Sequence, residues 1–134
     1  MANYDFDLDF PDGVAAERLV REILAGERGP VEVKRDFKVS ETGNVAIEFE
    51  CRGKKSDIAV TKATWWAIVL DGDIFTHEVI IFIKTTRLKE IARDMYKNKG
   101  FVIGGDKGSN TKMVLIPVSE FFTYRPRVKQ IEMI

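Results

Sequence analysis

Two stretches, Val31-Glu32-Val33-Lys34-Arg35-Asp36-Phe37 and Asn44-Val45-Ala46-Ile47-Glu48-Phe49-Glu50, alternate apolar and charged residues. That period-two pattern marks β-strands with one buried face. Val31, Val33 and Phe37 are expected on the buried side of the first strand, leaving Glu32, Lys34 and Asp36 together on the other. Val45, Ile47 and Phe49 do the same for the second, leaving Glu48 and Glu50. The polar link from Lys38 to Gly43 is long enough for an antiparallel return. Pairing of the two strands would gather carboxylates and a lysine on one sheet face.

The rest of the chain fits around such a hairpin. Gly13 to Ala25 reads as a helix with Val14, Leu19, Val20, Ile23 and Leu24 as its apolar stripe, capped by Asp12 and ended by Gly26 and Gly29-Pro30. Trp65 to Leu70 is apolar on both faces, as a central strand would be. Asp71-Gly72 signals a turn, and Glu78 to Ile83 is a further strand. Thr85 or Thr86 is expected to cap a second helix to about Asn98, with Leu88, Ile91, Ala92, Met95 and Tyr96 buried and Gly100 as its stop. The Gly-rich loop Gly104–Asn110 leads into a last strand, Met113 to Val118. The order α-β-β-β-β-α-β predicts one α/β domain over residues 1–134, a mixed central sheet flanked by helices.

Composition narrows the chemistry. The 134 residues are 45% hydrophobic and 31% charged, an ordinary balance for a soluble protein. No apolar run reaches membrane-spanning length, and the acidic start has no signal-peptide character, so a cytoplasmic protein is expected. A single Cys51 fits a reducing compartment. With one His77 and one cysteine there is no His/Cys zinc set, so a metal would be held by oxygen. Formal net charge is zero, but residues 1–17 carry five acids and no base, whereas from Lys84 onward eleven bases face five acids. That asymmetry points towards a polyanion partner.

Phosphodiester hydrolysis needs an activated water, neutralisation of charge on the phosphate and help for the leaving oxygen. Magnesium on two or three carboxylates provides these, and a lysine can support the water or the developing charge. Glu32-Val33-Lys34 after a helix carrying Glu17, then Thr42-Gly43-Asn44 and Ile47-Glu48, resembles the PD-(D/E)XK nuclease superfamily. Within it the chain resembles small phage-type enzymes of the Holliday-junction resolvase and homing-endonuclease kind. The resemblance covers roughly residues 13–70. It implies a restriction-endonuclease-like α-β-β-β-α-β core and a Mg²⁺-dependent endonuclease, with Mn²⁺ as a substitute. It further implies branched or site-specific duplex DNA as the substrate, and cutting both strands with the one site of so small a chain favours a homodimer.

Two alignments of the motif stay open. In one, Glu32-Val33-Lys34 is the family's acid-x-lysine. In the other, Asp36 is the motif aspartate and Glu48-Phe49-Glu50 the second half, with Glu50 where lysine is usual. Asp36, Glu48 and Glu32 are the expected metal ligands, Lys34 the cationic helper and Glu17 the helical glutamate. Lys54, Lys55, Lys62, Lys107 and Lys112 are the expected DNA contacts. Asp57 and Thr64 depart from the family pattern, which usually has glycine after Ser56 and aspartate before the aromatic pair. Each residue also has a plainer reading. Glu17 can pair with Arg21, Glu32 and Lys34 can be cross-strand partners of Glu48 and Glu50, and Asp36 can be a strand-end turn residue. Trp65 and Trp66 fit the core better than base stacking, the Gly104–Asn110 loop is no P-loop, and nothing nearby in sequence orients His77 as a base. The alternative function is a nucleic-acid-binding module that kept the fold without the chemistry.

Overall fold

The computed structural model describes residues 2–70 and 79–123; the Asp71-Gly72 turn, His77 and the basic tail from Tyr124 lie outside them. Helix α1 (Ala2–Leu24) is followed by β1 (Val31–Asp36), the single turn α2 (Val39–Thr42), β2 (Asn44–Cys51) and β3 (Lys54–Lys55). A 3-10 turn (Asp57–Ala59) leads to β4 (Trp65–Leu70) and β5 (Ile80–Lys84). Then come α3 (Thr85–Lys99), β6 (Val102–Gly104), β7 (Thr111–Pro117) and a second 3-10 turn (Val118–Phe121). Among the described residues no helix is long and apolar enough to cross a membrane.

The strands form two sheets. One has the order β1-β4-β5, with β1 parallel and β5 antiparallel to the central β4. The other is antiparallel, β3-β2-β7-β6. The expected β1–β2 hairpin is therefore not formed: β1 pairs with β4, and β2 with β3 and β7. The link after Asp36 forms the four-residue helical turn Val39–Thr42, and Gly43 at φ 72° redirects the chain out of it. A β-hairpin demands the opposite, a turn that sends the strand back on itself.

The hydrophobic core lies between the two sheets and α3. Val45, Ile47 and Ile116 come from one sheet, Trp66 and Ile68 from the other, and Leu88 from the helix, each nearly or fully excluded from solvent. Each such side chain contributes roughly 1.5–3 kcal/mol by leaving water. Both tryptophans are buried, as a central strand requires. In α3 the expected apolar positions are buried except Tyr96, which is 47% exposed. Thr85 does not cap the helix; it is the first helical residue, and its hydroxyl donates to the Ala63 carbonyl at 2.6 Å. Gly100, at φ 74°, ends the helix as expected.

Two expectations of burial fail together. Val33 is 68% and Phe37 61% exposed, so the apolar side of β1 faces solvent while Glu32, Lys34 and Asp36 point inward. In α1 the stripe residues Val14, Val20 and Leu24 are exposed, and from Pro11 onward Ile23 is the helix's one buried side chain. The helix also begins well before Gly13 and runs through Pro11. Strand β1 is an edge strand, and charges pointing inward at an edge still reach water past its open side.

Candidate functional site

Three local devices bring charged side chains together. The first is Asp36, only 7% exposed at the end of β1. Its two carboxylate oxygens accept the backbone N–H groups of Lys38 at 3.0 Å and Ala46 at 2.9 Å. The carboxylate thereby ties β1 to β2, which share no ladder, and sets Glu32 and Lys34 beside the strand that carries Glu48.

The second is a bulge in β2. Glu48 is opposite Met113 and Glu50 opposite Lys112, so Phe49 is an extra residue against β7. Opposed residues share a face and consecutive residues do not. Met113 and Lys112 are consecutive, hence the bulge sends Glu48 and Glu50 to opposite faces. Glu50 is then held by Lys112 at 2.9 Å. Regular alternation had placed both glutamates together; the bulge separates them and withdraws Lys112 from the set of free bases.

The third is the return of the chain after β3. Arg52 at φ 52° and Gly53 at φ 76° make the tight turn between β2 and β3, both left-handed as two-residue hairpin turns demand. The Ser56 N–H then donates to the Phe49 carbonyl at 3.0 Å. Asp57 is thus delivered to the edge of β2, in the left-handed region at φ 42°. Burial holds its carboxyl above the ordinary aspartate value of 3.8; the charge of Glu48 raises it further, Lys34 lowers it and Glu32 raises it. Asp57 is therefore the point at which Glu48, Lys34 and Glu32 meet electrostatically.

Of the residues singled out from sequence, Glu32, Lys34 and Glu48 share this neighbourhood. Asp36 serves the backbone beside it. Glu17 is exposed on α1, paired with Arg21 one helical turn away, and is not among the charges acting on Asp57. Lys54 and Lys55 lie exposed on β3, and Lys107 is exposed in the loop before β7. The Arg52 N–H donates to the Ser109 carbonyl at 2.8 Å, which seats that loop against the β2–β3 turn and puts Arg52, Lys54 and Lys107 at one end of the sheet. Lys62 is exposed before β4. Asp57 itself escaped sequence reasoning as a site residue. Its surroundings come from a turn and a 3-10 segment that carry no periodicity.

The donor set fits a hard divalent cation in kind: carboxylate oxygens whose mutual repulsion a cation would relieve. Among the described residues no three acidic, histidine or cysteine side chains are gathered into a ready-made cation cage, so the set is linked by electrostatic range rather than contact. Set against protein-family models, curated proteins and solved structures, the chain has no match.

Asp57 yields a pH test. In EDTA, Asp57→Asn is expected to raise the melting temperature at neutral pH by a small amount, since water screens the half-buried carboxyl. The folded chain keeps this carboxyl protonated to higher pH than the unfolded chain. Its stabilising proton is fully present below pH 3.8 and is lost as pH rises through the folded value. The advantage of asparagine should accordingly vanish in acid. Asp57→Gly should retain part of its gain there, because glycine takes φ 42° without a Cβ clash. A difference between Asn and wild type that is flat across pH would mean that neither burial nor the glutamates act on Asp57.

Proposed function

We propose that this chain is a Mg²⁺-dependent DNA endonuclease of the PD-(D/E)XK type, hydrolysing phosphodiester bonds in branched or site-specific duplex DNA. The carrying observation is that Glu48, Lys34 and Glu32, far apart in the chain, all act electrostatically on Asp57, while Asp36 ties β1 to β2 by accepting two backbone N–H groups. Acid-x-lysine on one strand and a glutamate on the next supplies the residue types the reaction requires. Glu32, Glu48 and Asp57 are the proposed holders of the metal; Asp36 is proposed to position them. A bound divalent cation would neutralise phosphate charge and acidify water there. Lys34 presents its ammonium to the phosphate, where it opposes the negative charge that builds on the non-bridging oxygens. Arg52, Lys54, Lys55, Lys62 and Lys107 are proposed to contact the DNA backbone, positioning it without reading sequence.

One catalytic set cuts one strand, so cutting both strands of a duplex or junction calls for a homodimer. The exposed apolar residues Val33, Phe37, Ile80 and Phe82 on the outer side of the β1-β4-β5 sheet are the surface proposed for a second copy.

Incubation with supercoiled plasmid and a four-way junction tests the reading. Nicking or cleavage is expected with Mg²⁺ or Mn²⁺ and none with EDTA. Binding without cutting in either metal would discard the nuclease and leave a nucleic-acid-binding module, whose affinity should follow salt rather than Mg²⁺.

A further inference from the structure

Between the four-stranded sheet and α3 runs an open groove of about 350 Å³, outside the carboxylate set. Its floor is apolar, with Phe49, Ile58, Ala92 and Val114, and its rim carries Tyr96, Lys89 and Arg93. Phe49 meets Tyr96 edge to face, ring centres 5.7 Å apart at 88°, and Tyr96 stacks on Phe101 at 6.0 Å and 7°. Two aromatic rings, Phe49 and Tyr96, line the groove beside two cations, with Phe101 stacked on Tyr96. Among the described residues, neither Lys89 nor Arg93 has a carboxylate partner and no acid lines the groove.

Flat apolar walls accept a planar ring, and unpaired cations at the rim accept the negative charge attached to it. A nucleotide out of its duplex has both, and stacking on aromatic side chains is how proteins hold unpaired bases. The groove meets the carboxylate set only along the chain itself. Phe49 follows Glu48, and Ile58 follows Asp57. Successive strand residues face opposite sides, so Phe49 and Glu48 lie on the two sides of β2 and the groove is a site separate from the carboxylates.

We infer that the Phe49–Tyr96 groove binds an unpaired nucleotide, its base against the aromatic rings and its phosphate at Lys89 and Arg93, giving the protein a preference for DNA with single-stranded or unstacked segments. This rests on the nuclease reading for its substrate but not for its test.

The test is binding in EDTA of two fluorescent DNAs, a duplex with a short single-stranded gap and the same duplex unbroken. Wild type should bind the gapped DNA about tenfold more tightly. Tyr96→Ala, at an exposed ring, should bring the two affinities to within about twofold by weakening gapped DNA alone. Arg93→Gln, also exposed, is the second variant and should weaken gapped DNA more than unbroken DNA. Equal binding of both DNAs by wild type overturns the inference, as does an equal loss on both in Tyr96→Ala. Self-association of wild type that Tyr96→Ala abolishes would assign the groove to a second copy and overturn it too. A Tyr96-dependent preference without cleavage in Mg²⁺ would remove the nuclease and keep the nucleotide groove; cleavage without the preference would do the reverse.

Discussion

Lys34→Ala is expected to lower Mg²⁺-dependent cleavage by about 10²–10³-fold, the loss typical of removing one preorganised group that stabilises charge in a transition state. Its affinity for DNA should change little, because the charge it opposes builds on the phosphate only in the transition state. The contrast identifies the role. Lys34 lies on the inward face of β1, close enough to oppose the ionisation cost of Asp57, whereas Lys54 is fully outside on β3. Lys54→Ala should therefore do the converse. It should weaken binding uniformly and reduce the salt dependence by about one counterion, while single-turnover cleavage at saturating protein is unchanged. Glu48→Gln should match Lys34→Ala in cleavage. If Lys34→Ala cuts at the wild-type rate, the inward lysine is an edge-strand charge that keeps β1 from pairing with another chain, and the chemistry must be sought elsewhere.

The strands were legible because their apolar residues alternate, and the central position of β4 was legible because its residues do not. Pairing was not. Whether β1 pairs with β2 or with β4 depends on what the link does, and Val39–Thr42 turns out to form a helical turn that no local pattern announced. The inward face of β1 was misassigned for a related reason. Alternation tells which residues share a face, not which face meets the core, and an edge strand can turn its charges inward. The same limit applies at Glu48 and Glu50. Period two puts them together, and one extra residue in β2 puts them apart. Asp57 stood out in the sequence only as a departure from the pattern the chain resembles, and it lies at a positive φ of 42°. Its contribution to the site was not visible, because it depends on the hairpin turn at Arg52-Gly53 and on the parallel pairing of β1 with β4.

Asp36 separates a structural carboxylate from a metal-binding one. Asp36→Ala removes the acceptor of two backbone N–H groups. Hydrogen bonds to a charged acceptor contribute more than neutral ones, and an amide left unpaired in a part-buried place keeps its desolvation cost. The expected loss is about 2–4 kcal/mol. For a domain of this size that lowers the melting temperature by roughly 8–16 °C. Asp36→Asn should fall between, since its amide nitrogen meets one of the two N–H donors and cannot accept from it. Thermal shift with and without Mg²⁺ then assigns the role. A cation that binds the folded chain raises its melting temperature. With Asp36 as a positioning residue, Asp36→Asn lowers the baseline but keeps a Mg²⁺-induced rise, whereas Glu48→Gln keeps the baseline and loses the rise. With Asp36 as a ligand, the pattern reverses: Asp36→Asn melts with wild type in EDTA and no longer responds to Mg²⁺. Because Asp36 is the tie between two strands that share no ladder, destabilisation should also separate Glu32 and Lys34 from Glu48. Cleavage by Asp36→Asn should accordingly recover on cooling, which loss of a metal ligand would not allow.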